Sequence, residues 1–264
     1  MQAISTLGIV ASMPQPAEHA RVQLIAEQKV VAPGATTHIG LLFEIDRGWH
    51  LYFDGMNDSG FAPQASWKAP EGVKMGEILW PAPKRYTMPG DLLDHVYEGR
   101  LLLMVPVEIP EEAASGTRVR IEAEVDWLVC SDVCLPGFGE VSIELPVGPA
   151  QAGEHASEFE KVREALPKRV AEDTTEVAWR WSGDVLEIRT TKAKRTAFYP
   201  RRGSRKPMNL LGDGEAKGST LRLKFERPTA ERANVEGILE IEDQDGGFGW
   251  FDLEVEPGKN LPRA

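Results

Sequence analysis

The amino-acid sequence predicts an all-β protein, two β-sandwich domains in tandem with a short connecting helix. Three observations predict it. Apolar residues recur with the two-residue period of strands, the runs are short and closed by Pro or Gly, and one helical stretch follows a linker-like segment near mid-chain. In the first half, Arg21 to Ala26, His38 to Ile45, Trp49 to Phe53, Leu101 to Ile109, Arg118 to Val129 and Glu140 to Pro146 alternate or run apolar over strand lengths. Short strands with turn signals at this spacing form sandwiches.

Gly148 to Gly153 reads as a linker, and Ser157 to Leu166 reads as the helix. Ser157 is placed to cap it with Glu160 three residues on, and Phe159, Val162, Ala165 and Leu166 share one face. Pro167 ends it. The second strand series is Val177 to Trp181, Val185 to Thr190, Ala197 to Tyr199, Thr220 to Phe225, Ile238 to Ile241 and Gly249 to Val255, with Trp181 to Asp184 as a hairpin turn. The expected divisions are 1–19, disordered or a leader remnant; 20–147, the first sandwich; and 148–264, the second sandwich with the helix at its start.

At 264 residues the chain buries a core without crosslinks. Its 41 acidic against 30 basic residues argue against nucleic-acid binding, which needs a positive surface. Lys192, Lys194, Arg195, Arg201, Arg202, Arg205 and Lys206 form a local basic cluster. Without a Gly-rich phosphate loop or interleaved aromatics it reads as a solvated loop. No apolar run reaches the roughly 18 residues of a bilayer span. Ala3 to Ala11 is a short apolar stretch without a basic n-region, a weak leader signal.

Only two cysteines exist, Cys130 and Cys134, within Trp127 to Gly137. Such a pair is a redox dithiol, half a metal site or a structural staple. On a straight strand their Cα atoms would stand roughly 13 Å apart, whereas a disulfide needs about 7 Å or less. The segment must turn if they are bonded, and Leu135, Pro136 and Gly137 supply a stop for the preceding strand. As a staple the pair is weak, because closing so short a loop contributes about 2 kcal/mol against nearly 5 for a loop of about a hundred residues. Asp126 and Asp132 bracket the cysteines. Close in space they would raise the thiol pKa and guard a reduced state; the other reading is ordinary turn and edge-strand solvation. A soft Cu(I) site would join both thiolates to Met56, Met75, Met88 or Met104 and a histidine, but these methionines are scattered and suit packing. Zinc would need two further ligands that no Cys/His grouping supplies, so no metal or cofactor is expected. A non-catalytic interaction module with a structural disulfide is the third class.

Other segments give the cysteines a family. Gly48 to Phe53 is followed by Asp58-Ser59-Gly60, Trp67, Ile78 to Arg85, Val96 to Gly99 and Trp127 to Pro136. As an ordered set these resemble the N-terminal periplasmic region of DsbD-type protein-disulfide reductases, in particular the ScsB branch with three residues between its cysteines. The resemblance covers about residues 20 to 147 and continues more weakly through the helix and Ala197 to Pro200.

The resemblance implies an immunoglobulin-like domain that relays electrons in the periplasm. It would accept them from a thioredoxin-like domain of a membrane reductase and pass them to oxidised thioredoxin-like proteins through mixed disulfides. Cys130 and Cys134 match the redox pair; by position Cys134 exchanges with the partner and Cys130 resolves. The family covers its cysteines with a cap loop bearing an aromatic residue. The matching interval, Pro83 to Val96, supplies Tyr86, whose alternative role is to pack on a neighbouring loop. Tyr52 and His50 fall on a strand that borders the site, His50 either lining it or serving as an ordinary strand histidine. Trp49, Trp67, Trp80 and Trp127 read as core or cap packing. The membrane domain and second cysteine pair of full-length reductases are missing, so an excised segment or a free-standing relative dependent on separate partners is expected. The second domain, without cysteine, is expected to position the first or to offer a docking surface.

Overall fold

The computed structural model describes residues 18–170, 174, 176–227 and 233–261. Nearly all of the expected leader, residues 1–17, lies outside them. The first strands are β1 (Ala20–Ala26), β2 (Gln28–Val30), β3 (Thr36–Ile45), β4 (Leu51–Tyr52), β5 (Gln64–Lys68), β6 (Lys74–Met75), β7 (Lys84–Met88), β8 (Leu92–Tyr97), β9 (Arg100–Glu108), β10 (Arg118–Cys130), β11 (Cys134–Pro146) and β12 (Gln151–Ala152). Helix α1 (Ala156–Ala165) follows, then β13 (Lys168–Arg169), β14 (Val177–Ser182), β15 (Val185–Thr190), β16 (Arg195–Pro200), α2 (Leu210–Asp213), β17 (Glu215–Lys217), β18 (Thr220–Lys224), β19 (Val235–Glu242) and β20 (Phe248–Val255). The protein is all-β, and no helix among the described residues is long and apolar enough to cross a membrane.

In the first sandwich the sheet β1-β3-β9-β6 packs on the sheet β11-β10-β5. Alternation selects the core: Ile39, Leu41 and Phe43 of β3, Leu101, Leu103 and Val105 of β9, and Ile121, Val125 and Trp127 of β10 share one apolar cluster. The β9 sequence runs apolar on both faces because its other face is covered too. Leu42, Leu102 and Met104 lie beneath α1 against Phe159. At Gly40 a Cβ would fall 2.3 Å from Leu102 Cδ1 and 3.2 Å from the Phe159 ring, so glycine makes room for the helix.

Two expectations about α1 are corrected. It starts at Ala156 with His155 as N-cap, and no side chain caps it, so Ser157 lies inside the first turn. Phe159 sets this register by inserting under the sheet, and Glu158 is held by Arg100 of β9 at 2.7 Å. The helix, assigned from sequence to the second domain, packs on the first sandwich, as does β12 through its pairing with β2.

Strands β10 and β11 pair from Arg118↔Pro146 to Cys130↔Cys134. Pro136 and Gly137 therefore do not stop a strand; they lie inside β11. That strand is the sheet's edge, where a residue without N–H is tolerated. The turn is made by residues 131–133. The interval expected to be a cap loop is a β-hairpin, β7 paired with β8 from Lys84↔Val96 to Met88↔Leu92, and β8 also pairs with β4. Its tip turns through Gly90 (φ 92) and Asp91 (φ 61).

The second sandwich packs β13-β20-β19-β16-β17 on β14-β15-β18. Gly183, at φ 61, makes the tight turn between β14 and β15. Strand β16 is buried on both faces: Phe198 enters the second core, whereas Ala197 and Tyr199, with Ile238, enter the first. The two sandwiches thus share a packed interface. The basic cluster is only partly a solvated loop: Lys192, Lys194, Arg202 and Lys206 are exposed, whereas Arg195, Arg201 and Arg205 are not. Arg195 bonds Glu240 and Glu242, Arg201 bonds Asp252, and Arg202 pairs with Asp54 of the first sandwich at 2.7 Å. Arg205 is buried beside Trp181 and Phe225 and bonds Asp184.

Candidate functional site

The hairpin β10–β11 closes on its two cysteines. Cys130 and Cys134 form a disulfide with Cα atoms 4.1 Å apart. The two sulfurs are unequal in access: Cys130 is 1% exposed, whereas Cys134 opens to solvent. His50 lies across from Cys130, joined to it by N–H···O bonds in both directions, 2.9 and 3.0 Å.

Tyr52, on β4, is fully buried and points its hydroxyl at the site. Its Oη is 3.8 Å from Cys134 Sγ and 3.2 Å from Ser59 Oγ. Ser59 Oγ in turn donates to Asp94 Oδ2 at 2.6 Å, while Asp94 Oδ1 accepts the backbone N–H groups of Asp58 and Ser59 at 2.8 and 3.0 Å. Because Ser59 gives its proton to the carboxylate, the Tyr52 hydroxyl is left to donate to Ser59. Its oxygen then faces Cys134 as an acceptor for the S–H of the reduced state. Burial raises the Tyr52 pKa, so the phenol is neutral at ordinary pH.

The Tyr52 ring lies on Gly60, where a Cβ would fall between 2.2 and 2.6 Å from ring atoms. Gly60→Ala is expected to displace the ring and destabilise the protein by about 1–2 kcal/mol. Urea unfolding midpoints measure it, and an unchanged midpoint would contradict this packing.

The β7–β8 hairpin packs on the Cys130 side of the disulfide. Tyr86 of β7, opposite Asp94 of β8, places its ring centroid 4.8 Å from that of His50 at an interplanar angle of 46°. Tyr86 and Leu128 pack against the cluster of Tyr52, Val96 and Cys130. His50 is 3% exposed, and burial lowers its pKa against the opposing pull of Asp94 and Glu98, so the imidazole is neutral. Its buried Nε2 has no hydrogen-bond partner among the described residues.

The structure gathers Cys130, Cys134, His50, Tyr52 and Tyr86, and leaves the two bracketing acids outside this group. Asp126 stands four positions before Cys130 on β10, roughly 13 Å along an extended strand. Asp132 is exposed in the turn between the cysteines. Met104 lies in the separate cluster beneath α1, and Met75 on the edge strand β6. Among the described residues no group of three or more His, Cys, Asp and Glu side chains is arranged to hold a metal ion. Trp80 and Trp127 are core residues, with Trp49 and Trp67 packed against that core. Ser59 and Asp94 are the members whose roles spacing did not suggest. They stand 35 residues apart, and only the pairing of β8 with β4 brings them together.

Residues 21–146 match the family Thiol:disulfide interchange protein DsbD, N-terminal. The match spans the first sandwich, from β1 to β11. Both cysteines lie within it, and the family's general chemistry is thiol-disulfide exchange. Among solved structures, the N-terminal periplasmic domain of ScsB from Proteus mirabilis is similar to the whole chain, with a TM-score of 0.58 at 14% identity, covering 91% of this chain and 94% of that one. At that identity the likeness concerns the fold, and it extends beyond the DsbD N-terminal domain into the second sandwich. The YadV chaperone aligns over 88% of this chain and 99% of its own at 7% identity, with a TM-score of only 0.24. No curated protein matches the chain.

Proposed function

We propose that the chain relays electrons between thioredoxin-like proteins in the periplasm, taking them from a thioredoxin-like domain of a membrane reductase and passing them to oxidised thioredoxin-like acceptors. The observation that carries this reading is the inequality of the bonded cysteines: Cys134 is exposed at the end of a hairpin, and Cys130 is buried behind it. In one half-cycle the donor's thiolate attacks Cys134 Sγ. The Cys130–Cys134 bond breaks, and Cys130 leaves with the electron pair. The donor's second thiolate then attacks the mixed disulfide, so the donor ends oxidised and both cysteines reduced. Reversal against an oxidised acceptor completes the relay. Tyr52 receives the Cys134 S–H as a hydrogen bond between the two halves.

Exposed apolar side chains flank the site residues in the sequence: Val133 lies between the cysteines, Phe61 beside Gly60, Phe138 on β11 and Leu92 at the hairpin tip. Val133, beside the exposed Cys134, is the one placed to meet a docking protein. The test mixes the oxidised chain with a reduced thioredoxin-like domain and follows thiol transfer by mass. Transfer much faster than with an equal concentration of dithiothreitol supports the relay; no transfer to or from any thioredoxin-like protein sinks it.

In the same reading β7–β8 is the lid and Tyr86 its shielding ring. Tyr86→Ala is expected to speed reduction by dithiothreitol about tenfold, the factor that roughly 1.4 kcal/mol of lost closure carries. An unchanged rate would return Tyr86 to simple packing.

A further inference from the structure

The lid hairpin has two faces, and the second is occupied. Successive residues of a strand project to opposite sides, so Arg85 points away from Cys130, against which its neighbour Tyr86 packs. Its guanidinium is mostly buried against the second sandwich. Arg85 Nη2 donates to the carbonyls of Leu210 and Leu211 in α2, at 3.2 and 3.1 Å, and Nε stands 3.7 Å from Glu215 Oε2. Gly214 leaves the space: a Cβ there would lie 2.8 Å from Arg85 Nη1.

The same attachment is repeated across the hairpin. His95, the β8 partner of Arg85, packs edge-on against Tyr199 of β16, with ring centroids 5.4 Å apart. His95 Nδ1 bonds the Met56 carbonyl at 2.8 Å, and Met56 N–H donates to the Pro200 carbonyl at 3.0 Å. Every one of these contacts ends on the second sandwich or on the loop bonded to it.

We infer that the second sandwich sets the position of the lid, with Arg85 as the positioning residue that transmits it to Tyr86 over the Cys130–Cys134 disulfide. This rests on the reading of β7–β8 as a lid. Cys134 stays open to solvent, and what the hairpin holds is Cys130: expelling the Cys130 thiolate from beneath Tyr86 then requires Arg85 to leave the α2 carbonyls. A domain with no cysteine thereby controls the buried thiol of its neighbour, Cys130.

The experiment reads the rate at which dithiothreitol reduces the disulfide in the full chain. Arg85→Ala is expected to raise that rate about tenfold, as loss of charge-assisted hydrogen bonds predicts. Arg85→Lys, which keeps the charge and part of the donor set, restores most of the protection. Arg85→Ala combined with Tyr86→Ala is no faster than Tyr86→Ala alone, because Arg85 acts through Tyr86. A wild-type rate for folded Arg85→Ala, or effects that simply multiply in the double variant, would overturn the inference. If Arg85→Ala fails to fold, Asn209→Ala carries the test. The Asn209 side chain accepts the Gly212 N–H at 3.1 Å and caps α2, so its loss loosens the carbonyls that Arg85 holds. A wild-type rate there overturns the inference equally. Partner exchange is measured separately: a relay that works with a lid indifferent to Arg85 fails this inference alone, and a lid that opens on a protein inert to thioredoxin-like domains fails the relay alone.

Discussion

Cys130→Ala is expected to hold an oxidised thioredoxin-like partner as a stable mixed disulfide, and Cys134→Ala to hold none, while both lose steady-state exchange to the uncatalysed background. The asymmetry follows from access. Cys134 stands in solvent at the first position of β11, so its thiolate reaches the partner's disulfide, displaces one partner sulfur and stays bonded to the other. In the intact protein Cys130 resolves that bond from 4.1 Å away in Cα separation; in Cys130→Ala only the partner's displaced thiolate can undo it, and alkylating that thiolate during the reaction holds the complex. In Cys134→Ala the remaining thiol is 1% exposed beneath Tyr52, Val96 and Tyr86, out of reach of a second protein. Non-reducing mass analysis of the mixtures measures both. Equal trapping by the two variants would contradict the assigned roles.

Acid is expected to weaken the protein through His95. This histidine is fully buried on β8, and burial lowers its pKa to about 4. The Met56 carbonyl, Asp94 and Asp58 pull it upward, and Arg85 adds to the lowering. The unfolded chain takes up the proton near the ordinary histidine value of about 6.5. The contribution of neutral His95 is therefore complete above pH 6.5 and is lost as pH falls through 4, about 3 kcal/mol over the window. His95→Asn, which keeps a donor for the Met56 carbonyl, should lose less stability over the same window by about that amount. Urea midpoints at pH 7 and pH 4.5 on both proteins isolate the effect from the carboxylates they share. Identical pH dependence would contradict it.

The cysteine pair, its need for a turn and the sandwich core were legible because they rest on local patterns. Strands β3, β9 and β10 announce themselves by apolar alternation or by apolar runs buried on both faces. The interval holding β7 reads as a loop because Lys84–Met88 lacks that alternation and Pro89-Gly90 punctuates it; the strand exists through pairing with β8. Pro136 and Gly137 misled for a related reason. Their usual meaning as a stop does not apply at an edge where β10 supplies the ladder on one side alone. The Tyr52–Ser59–Asp94 chain and the Arg85 attachment join residues 7, 35 and 125 positions apart, and no spacing rule brings such distant groups together. The same holds for β16, whose two buried faces belong to two different cores.

The central claim is that Cys130–Cys134 is a bond made to be exchanged. Its midpoint potential, measured by equilibration of the full chain with glutathione or thioredoxin buffers and quantified by trapped thiols, tests this most directly. The expected value lies within the span of exchange proteins, roughly −120 to −270 mV. A value well below about −300 mV, where inert structural disulfides lie, would contradict it.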